Sequence, residues 1–226
     1  MAKKSIGIMI AILLFAFSIF AGSFEIGGGI TYDQFSHVIS ADLGNDISGE
    51  FKTPYDALGF NINGTYWFTE KMGVEAGFDF SKGTINENEQ TEETTNYTYF
   101  NSYKETSQLM GPSANFKYRV LQSPVALDLK VGGGYYFYSL SIEEKTEETG
   151  EQDYSYSDEI SGSSFGMFIG ADIVNPINDK LSMTANVGYK LFTNVSNLED
   201  KDGNKIKDIT LSLNGLKLGL GVAYSF

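Results

Sequence analysis

Phe24-Glu-Ile-Gly-Gly-Gly-Ile-Thr-Tyr-Asp33 is an alternating run. In an extended chain Phe24, Ile26, Gly28, Ile30 and Tyr32 fall on one face, and Glu25, Gly27, Gly29, Thr31 and Asp33 on the other. A period of two with unlike faces is the pattern of a strand that separates two environments. It recurs over 57–68, 72–81, 110–120, 125–138, 164–174, 181–192 and 210–226. The spacing therefore predicts eight strands of about ten residues or a little more, the length that crosses a hydrocarbon core at a tilt.

The two faces decide which way the sheet closes. The apolar face runs through Leu58, Phe60, Ile62, Gly64, Tyr66 and Phe68 in the second run and from Leu216 through Leu218 and Leu220 in the last. Taken from Leu216 onward in that last run, it holds no charged residue and no Ser, Thr, Asn or Gln. The opposite face carries Glu25, Asp33, Glu75, Asp79, Asp128 and Asp172 against Lys117, Arg119, Lys130, Lys190 and Lys217. A soluble lipocalin-like barrel would place the apolar face inside. The interior of eight strands, however, holds only its own side chains or one small ligand, too little for this many large residues. The apolar face must point outward, which is tolerable only against lipid.

The connections agree. Those near 70, over 121–124 and over 175–179 are short; those over 36–56, 82–109, 139–163 and 193–209 are long. Short turns at one end and long loops at the other are the asymmetry of outer-membrane barrels, and both termini fall at the short-turn end. Outward aromatics gather near the two ends, Phe24, Tyr66, Phe68, Tyr118, Tyr224 and Phe226 at one, Tyr32, Phe60, Phe80, Phe137, Phe165 and Tyr189 at the other, as interfacial girdles do. The predicted fold is all-β, a transmembrane antiparallel up-and-down eight-stranded barrel over 24–226. Residues 1–23 read as a cleaved signal peptide: Lys3 and Lys4, the apolar stretch from Ile6 to Phe20, then Ala21, Gly22 and Ser23.

Composition narrows the function. In 226 residues there is no cysteine and one histidine, and 29 acidic against 16 basic residues give a net charge of -13. That excludes a disulfide framework, thiolate zinc and a cysteine nucleophile. It also argues against nucleic acid as a partner, since phosphate neutralisation needs clustered Lys and Arg. The four long connections hold 21 acidic and 7 basic residues, a net -14, so the negative charge sits in an outer crown.

The signal peptide, the eight alternating runs and the ending Leu216-Lys-Leu-Gly-Leu-Gly-Val-Ala-Tyr-Ser-Phe226 resemble the small outer-membrane β-barrels of the OmpA and OmpX type. The resemblance implies residence in the outer membrane of a diderm bacterium, contact with outer-membrane lipid, and recognition by the barrel-assembly machinery through Leu220, Val222, Tyr224 and Phe226. Barrel enzymes resembling the omptin proteases or the lipid A acyl-modifying barrels use a histidine positioned by an acid or a serine. Here His37 at the root of the first loop reads as solvated, and neighbouring Ser36 is adjacent in sequence only. No catalytic, cofactor-binding or metal-ligating residue is nominated. Asp200-Lys-Asp-Gly-Asn204 reads as a tight Asp-Gly turn and not as a calcium loop.

A lumen charge network of Glu25, Glu75, Asp79, Lys117, Arg119, Asp128, Lys130, Asp172, Lys190 and Lys217 is expected, because charge in so narrow an interior must be paired or solvated. A turn at 121–124 sets Lys117 opposite Asp128 and Asn115 opposite Lys130, with Glu75 beside Lys117 and Arg119. Asp33 and Asp79, near the outer rim, read either as a carboxylate pair or, as rim aspartates more often are, as solvated residues. The function read from this is a non-enzymatic barrel with a largely filled polar lumen and acidic loops in a structural or surface-interaction role. The loops offer divalent cations or a basic partner a surface. The alternative is a narrow porin-like channel for small solutes or cations.

Overall fold

The computed structural model describes residues 22–42, 48–94, 97–149, 153–206 and 209–226. The expected signal peptide lies, but for its last two residues, outside them. Nine strands follow in order: β1 (Ser23–Asp42), β2 (Ser48–Trp67), β3 (Met72–Thr94), β4 (Tyr97–Leu121), β5 (Ala126–Glu148), β6 (Tyr154–Pro176), β7 (Leu181–Phe192), β8 (Ser196–Glu199) and β9 (Ile209–Ser225). Every pairing is antiparallel, and eight strands close a ring because β9 pairs with β1 and β5 with β6. The four-residue β8 stands outside the ring and pairs with β6.

Alternation is what closes this ring with the greasy side out. Ile30 and Leu58 are 70% and 71% exposed, whereas Asp33 and Asp128 are 1% and 0% exposed. Turning so few strands through a full circle brings neighbouring backbones close, and glycine permits it. A Cβ on Gly59 would meet the Phe80 carbonyl oxygen at 2.0 Å, and one on Gly29 the Leu220 oxygen at 2.2 Å. The start of β1, the end of β9 and the turns at 68–71, 122–125 and 177–180 lie at one end, where the Phe226 N–H donates to the Phe24 carbonyl at 2.9 Å.

The long connections are corrected by the structure. Much of 36–56, 82–109 and 139–163 is strand: β1–β2 pairing reaches Asp42 with Ser48, β3–β4 reaches Thr94 with Tyr97, and β5–β6 reaches Thr146 with Tyr154. Strands β3 to β6, at 23 to 25 residues, are more than twice a membrane crossing. From Lys82 to Thr94, β3 alone adds about 40 Å of strand beyond the apolar belt.

These extensions were illegible as strands because the alternation inverts. Past Tyr32 the inward residues of β1 become Phe35, His37 and Ile39 and the outward ones Gln34 and Ser36, with no change of register. Above the hydrocarbon the outside is water, so the apolar face must turn inward. The result is a core of Phe35, Tyr55, Leu109, Tyr138, Leu140, Phe192, Leu211 and Leu213 stacked on top of the polar lumen. Pairing of β2 with β3 stops at Asp56 and Thr84, at a bulge in β3, so the wall above is split there. On the far side β6–β7 pairing ends at Gly166 and Phe192, and the segment carrying β8 covers the gap with Val195 and Leu198.

Candidate functional site

Inside the membrane-spanning part, the charged side chains form two tiers. The lower one, near the short turns, joins Glu75 of β3, Lys117 and Arg119 of β4, Asp128 and Lys130 of β5 and Asp172 of β6, three carboxylates against three cations. Lys117 Nζ lies 2.8 Å from Asp172 Oδ2, 3.4 Å from Glu75 Oε2 and 3.9 Å from Asp128 Oδ2. Lys130 Nζ bridges Glu75 at 3.3 Å and Asp172 at 3.1 Å. Arg119 grips Asp128 with both ends of its fork, Nε to Oδ1 at 2.7 Å and Nη2 to Oδ2 at 3.0 Å. Two planar groups matched this way fix each other's orientation, which a lysine cannot do.

The register corrects the expected pairing. The β4–β5 ladder sets Lys117 opposite Lys130 and Arg119 opposite Asp128, with Asn115 opposite Gly132. The ladder begins with Leu121 opposite Leu127 and, past an irregularity at Arg119/Leu121, runs two positions from the register that a turn over 121–124 implies. Two lysines side by side are tolerated because Glu75 and Asp172, from the flanking strands, insert between their ammonium groups. Glu75 accordingly contacts Lys117 and Lys130, while Arg119 is turned to Asp128.

The upper tier joins Asp33 of β1, Asp79 of β3, Lys190 of β7 and Lys217 of β9. Lys217 Nζ donates to Asp79 Oδ1, and Tyr136 Oη donates to Asp79 Oδ2 at 3.0 Å. Lys190 Nζ is 3.6 Å from Asp33. Asp33 and Asp79 are thus held inside the barrel by different lysines, not solvated at a rim. The sequence pattern placed Asp33 on the inner face but not its burial, which depends on the apolar core that covers it.

Each tier has a lid. Below, Trp67, the one tryptophan, is 3% exposed, and the Arg119 guanidinium lies over its ring at 4.1 Å. Above, the Lys190 ammonium sits under Phe35 and Tyr136, 5.9 and 5.5 Å from their centroids. Trp67 was missed as a lumen residue, although it shares the odd-numbered face of Asn61, Asn63 and Thr65. A cavity of ≈ 20 Å³ lies between the tiers and one of ≈ 50 Å³ runs from there past the lower tier to Glu25, Ser182 and Ala223 near the short turns; both are lined by Asn61, Asn63, Glu75, Lys130 and Asn186. These hold a few water molecules each at most. Glu25 borders the larger one and makes no ion pair within 4 Å among the described residues.

His37 is corrected from a solvated loop residue to a buried one, 2% exposed. Its Nε2 lies 3.2 Å from Tyr138 Oη, and its ring packs against Tyr55, whose hydroxyl reaches Ser107 at 2.9 Å. This polar string is enclosed by the apolar core above the membrane. Burial pulls the imidazole down to about 4 and pushes both tyrosines up. Ser36 and His37, adjacent on a strand, point to opposite faces.

Outside, β3 to β6 frame a groove of ≈ 440 Å³ lined by Glu87, Glu89, Lys104, Glu143, Glu144 and Lys145 among others. Lys104 is held by Glu87 at 2.7 Å, and Lys145 by Glu147. At 200–204 the Asp200 carboxylate accepts from the N–H groups of Asp202 and Asn204, and Gly203 takes φ 79°, a closed turn that uses the carboxylate internally. On β9, Leu220, Val222 and Tyr224 face outward, 63%, 52% and 40% exposed, and Phe226 follows at 70%.

The architecture has counterparts among solved structures. A major outer membrane protein from Thermus thermophilus is 17% identical, with 91% of this chain and 100% of that one covered and a TM-score of 0.55. Outer membrane protein OprG from Pseudomonas aeruginosa is 17% identical, with 91% and 96% covered and a TM-score of 0.53. At such identity the likeness is one of fold. No curated protein sequence matches the chain. The model of the outer membrane protein beta-barrel domain matches residues 8–226. A closed ring with an apolar outside, a charged inside and short turns at one end is what that match describes, and the chain belongs to the outer membrane protein β-barrel domain family, resident in the outer membrane of a diderm bacterium.

Proposed function

We propose that the chain is a closed, non-enzymatic outer-membrane barrel that serves as a rigid mount for the hairpins it raises above the bilayer. One observation carries this reading: the axis is obstructed three times over, by Trp67 with Arg119, by the two ion-pair tiers, and by the apolar core around Phe35, Tyr138 and Leu213. Opening it would separate buried charge pairs, at several kcal/mol each, and expose the core to water. Conductance in planar bilayers is the test. Refolded protein with heat-modifiable migration should give no current steps, and regular steps would overturn the proposal.

The second reading, a narrow channel for small solutes or cations, has one observation in its favour. The two cavities share polar walls and would join if Lys130 or Glu75 swung aside. Selectivity for cations would then follow from Glu25, which has no ion pair among the described residues.

For partners, the acidic hairpins and the groove between Glu87, Glu89, Glu143 and Glu144 suit a basic protein surface, or divalent cations held diffusely. The belt is suited to outer-membrane lipid. Leu220, Val222, Tyr224 and Phe226 form a continuous apolar edge at the chain's end, the feature through which the assembly machinery would take hold of the strand. Residues 1–23 would be removed on export.

A further inference from the structure

The layer immediately above the apolar belt is mostly uncharged and polar on β1, β4, β5, β6 and β9. On β1 the first two outward positions past Tyr32 are Gln34 and Ser36; on β4, past Met110, they are Gln108 and Thr106; on β5, past Phe137, Ser139 and Ser141. Strand β6 has Ser163 and Ser161 there, Ser163 buried under the Tyr135 hydroxyl, and β9 has Asn214 and Ser212, with Asn214 Oδ1 accepting from the Phe192 N–H. Formal charge at the collar positions themselves is Asp56 and Lys82, of opposite sign on the adjoining strands β2 and β3, and the Glu159 carboxylate reaches down to accept from the Ser139 hydroxyl at 2.8 Å. At the third outward position charge returns on β2, β4, β5 and β6 together, as Lys52, Lys104, Glu143 and Glu159.

The neutral collar is thus about four residues tall, roughly 13 Å along the strand and about 10 Å of height at the usual tilt. That is the scale of one headgroup layer, since headgroups add roughly 5–8 Å to each side of the hydrocarbon. The collar continues the lipid-facing belt without a break, so lipid headgroups are what cover it. A layer of phosphates is bound by Lys and Arg through charge-assisted hydrogen bonds. The collar offers one lysine with an aspartate diagonally beside it. Hydroxyls and amides instead donate and accept at once, as sugar hydroxyls do. At the belt's upper edge the stacked rings of Phe60 and Phe80, 5.2 Å apart, add a flat apolar face of the kind a sugar ring lies against.

We propose that this collar binds the uncharged sugar headgroups of outer-leaflet glycolipids in preference to phosphate-bearing headgroups. The test is native mass spectrometry of the full chain released from mixed micelles holding equal amounts of digalactosyl diacylglycerol and phosphatidylglycerol. The galactolipid should be retained at least threefold over its competitor. In T84K/T106K/S141K the preference should invert, and in T84A/T106A/S141A it should fall to near parity, heat-modifiable migration confirming that each variant is folded. Equal retention by the wild type, or a preference for phosphatidylglycerol, overturns the proposal whatever the variants do.

Discussion

Protonating His37 should loosen the extracellular half of this barrel while leaving the membrane half intact. The imidazole is enclosed by Tyr138 of β5 and Tyr55 of β2, with Leu213 across the backbone ladder, and burial lowers its proton affinity to about 4. The charges that act on this string are Asp33, felt at Tyr55, and Glu105, felt at Tyr138. A neutral ring can accept the Tyr138 hydroxyl proton at Nε2, whereas an imidazolium can only donate there. The unfolded chain binds a proton near 6.5 and the folded one near 4, so the folded state has the lower affinity. Above pH 6.5 the difference contributes nothing; as pH falls through the window from 6.5 to 4 the unfolded state is favoured, by about 2 kcal/mol at pH 5 and about 3 kcal/mol at pH 4. Carboxylates add their own slope, so the measurement is a difference. Urea unfolding of wild type and His37→Gln, both folded in the same vesicles, is followed from pH 8 to pH 4. Glutamine keeps an acceptor toward Tyr138 and does not titrate, so the wild type should lose about 3 kcal/mol relative to the variant across that range. A gap between the two that stays constant with pH would refute the burial argument.

Other outcomes follow from the lumen and the wall. Lys117→Met should cost about 3–5 kcal/mol because it leaves carboxylates buried without their cation. Adding Asp172→Asn should recover a good part of the loss in urea titrations, whereas adding Asp128→Asn should not, since Arg119 holds Asp128; equal rescue by both would contradict the observed register. Arg119→Lys keeps the charge but gives up the bidentate contact and the flat stack on Trp67, so its stability should fall by about 1–3 kcal/mol with a shift in tryptophan fluorescence; an unchanged spectrum would argue against the stack. Gly59→Val puts a side chain where the Phe80 carbonyl stands and should abolish the heat-modifiable folded band, while Gly203→Ala, strained by its positive φ but with open space around it, should leave that band in place.

Much of the molecule was legible because lipid imposes a one-residue rule: in the belt each outward side chain must be apolar, so alternation alone assigns faces, strand number and closure. The inner face was equally readable: nine of the ten expected lumen residues meet an opposite charge, and Glu25 makes no ion pair among the described residues. What alternation could not supply was pairing. Register depends on how the chain turns after Leu121, and the resulting two-position offset set Lys117 opposite Lys130 and Asp128 opposite Arg119. Nor did the long connections show themselves as strands, since 35–42 and 139–148 were judged against a lipid-facing pattern when their outside is water.

His37 and Asp33 mark the division. Each sits on the inner face by sequence, and nothing in the neighbouring residues tells whether that face is wet. The enclosure of His37 comes from Tyr55 and Tyr138, 18 and 101 residues away along the chain, and Asp33 is covered by the apolar core and faces a lysine on β7. The sequence by itself determined the membrane solvent, the number of walls and the side on which charge must lie, since each of these follows from the local contrast of adjacent side chains. The tertiary structure alone decided which charges meet, how far the wall rises above the bilayer and what closes its axis, because those depend on register and on apolar side chains converging from six strands of the ring.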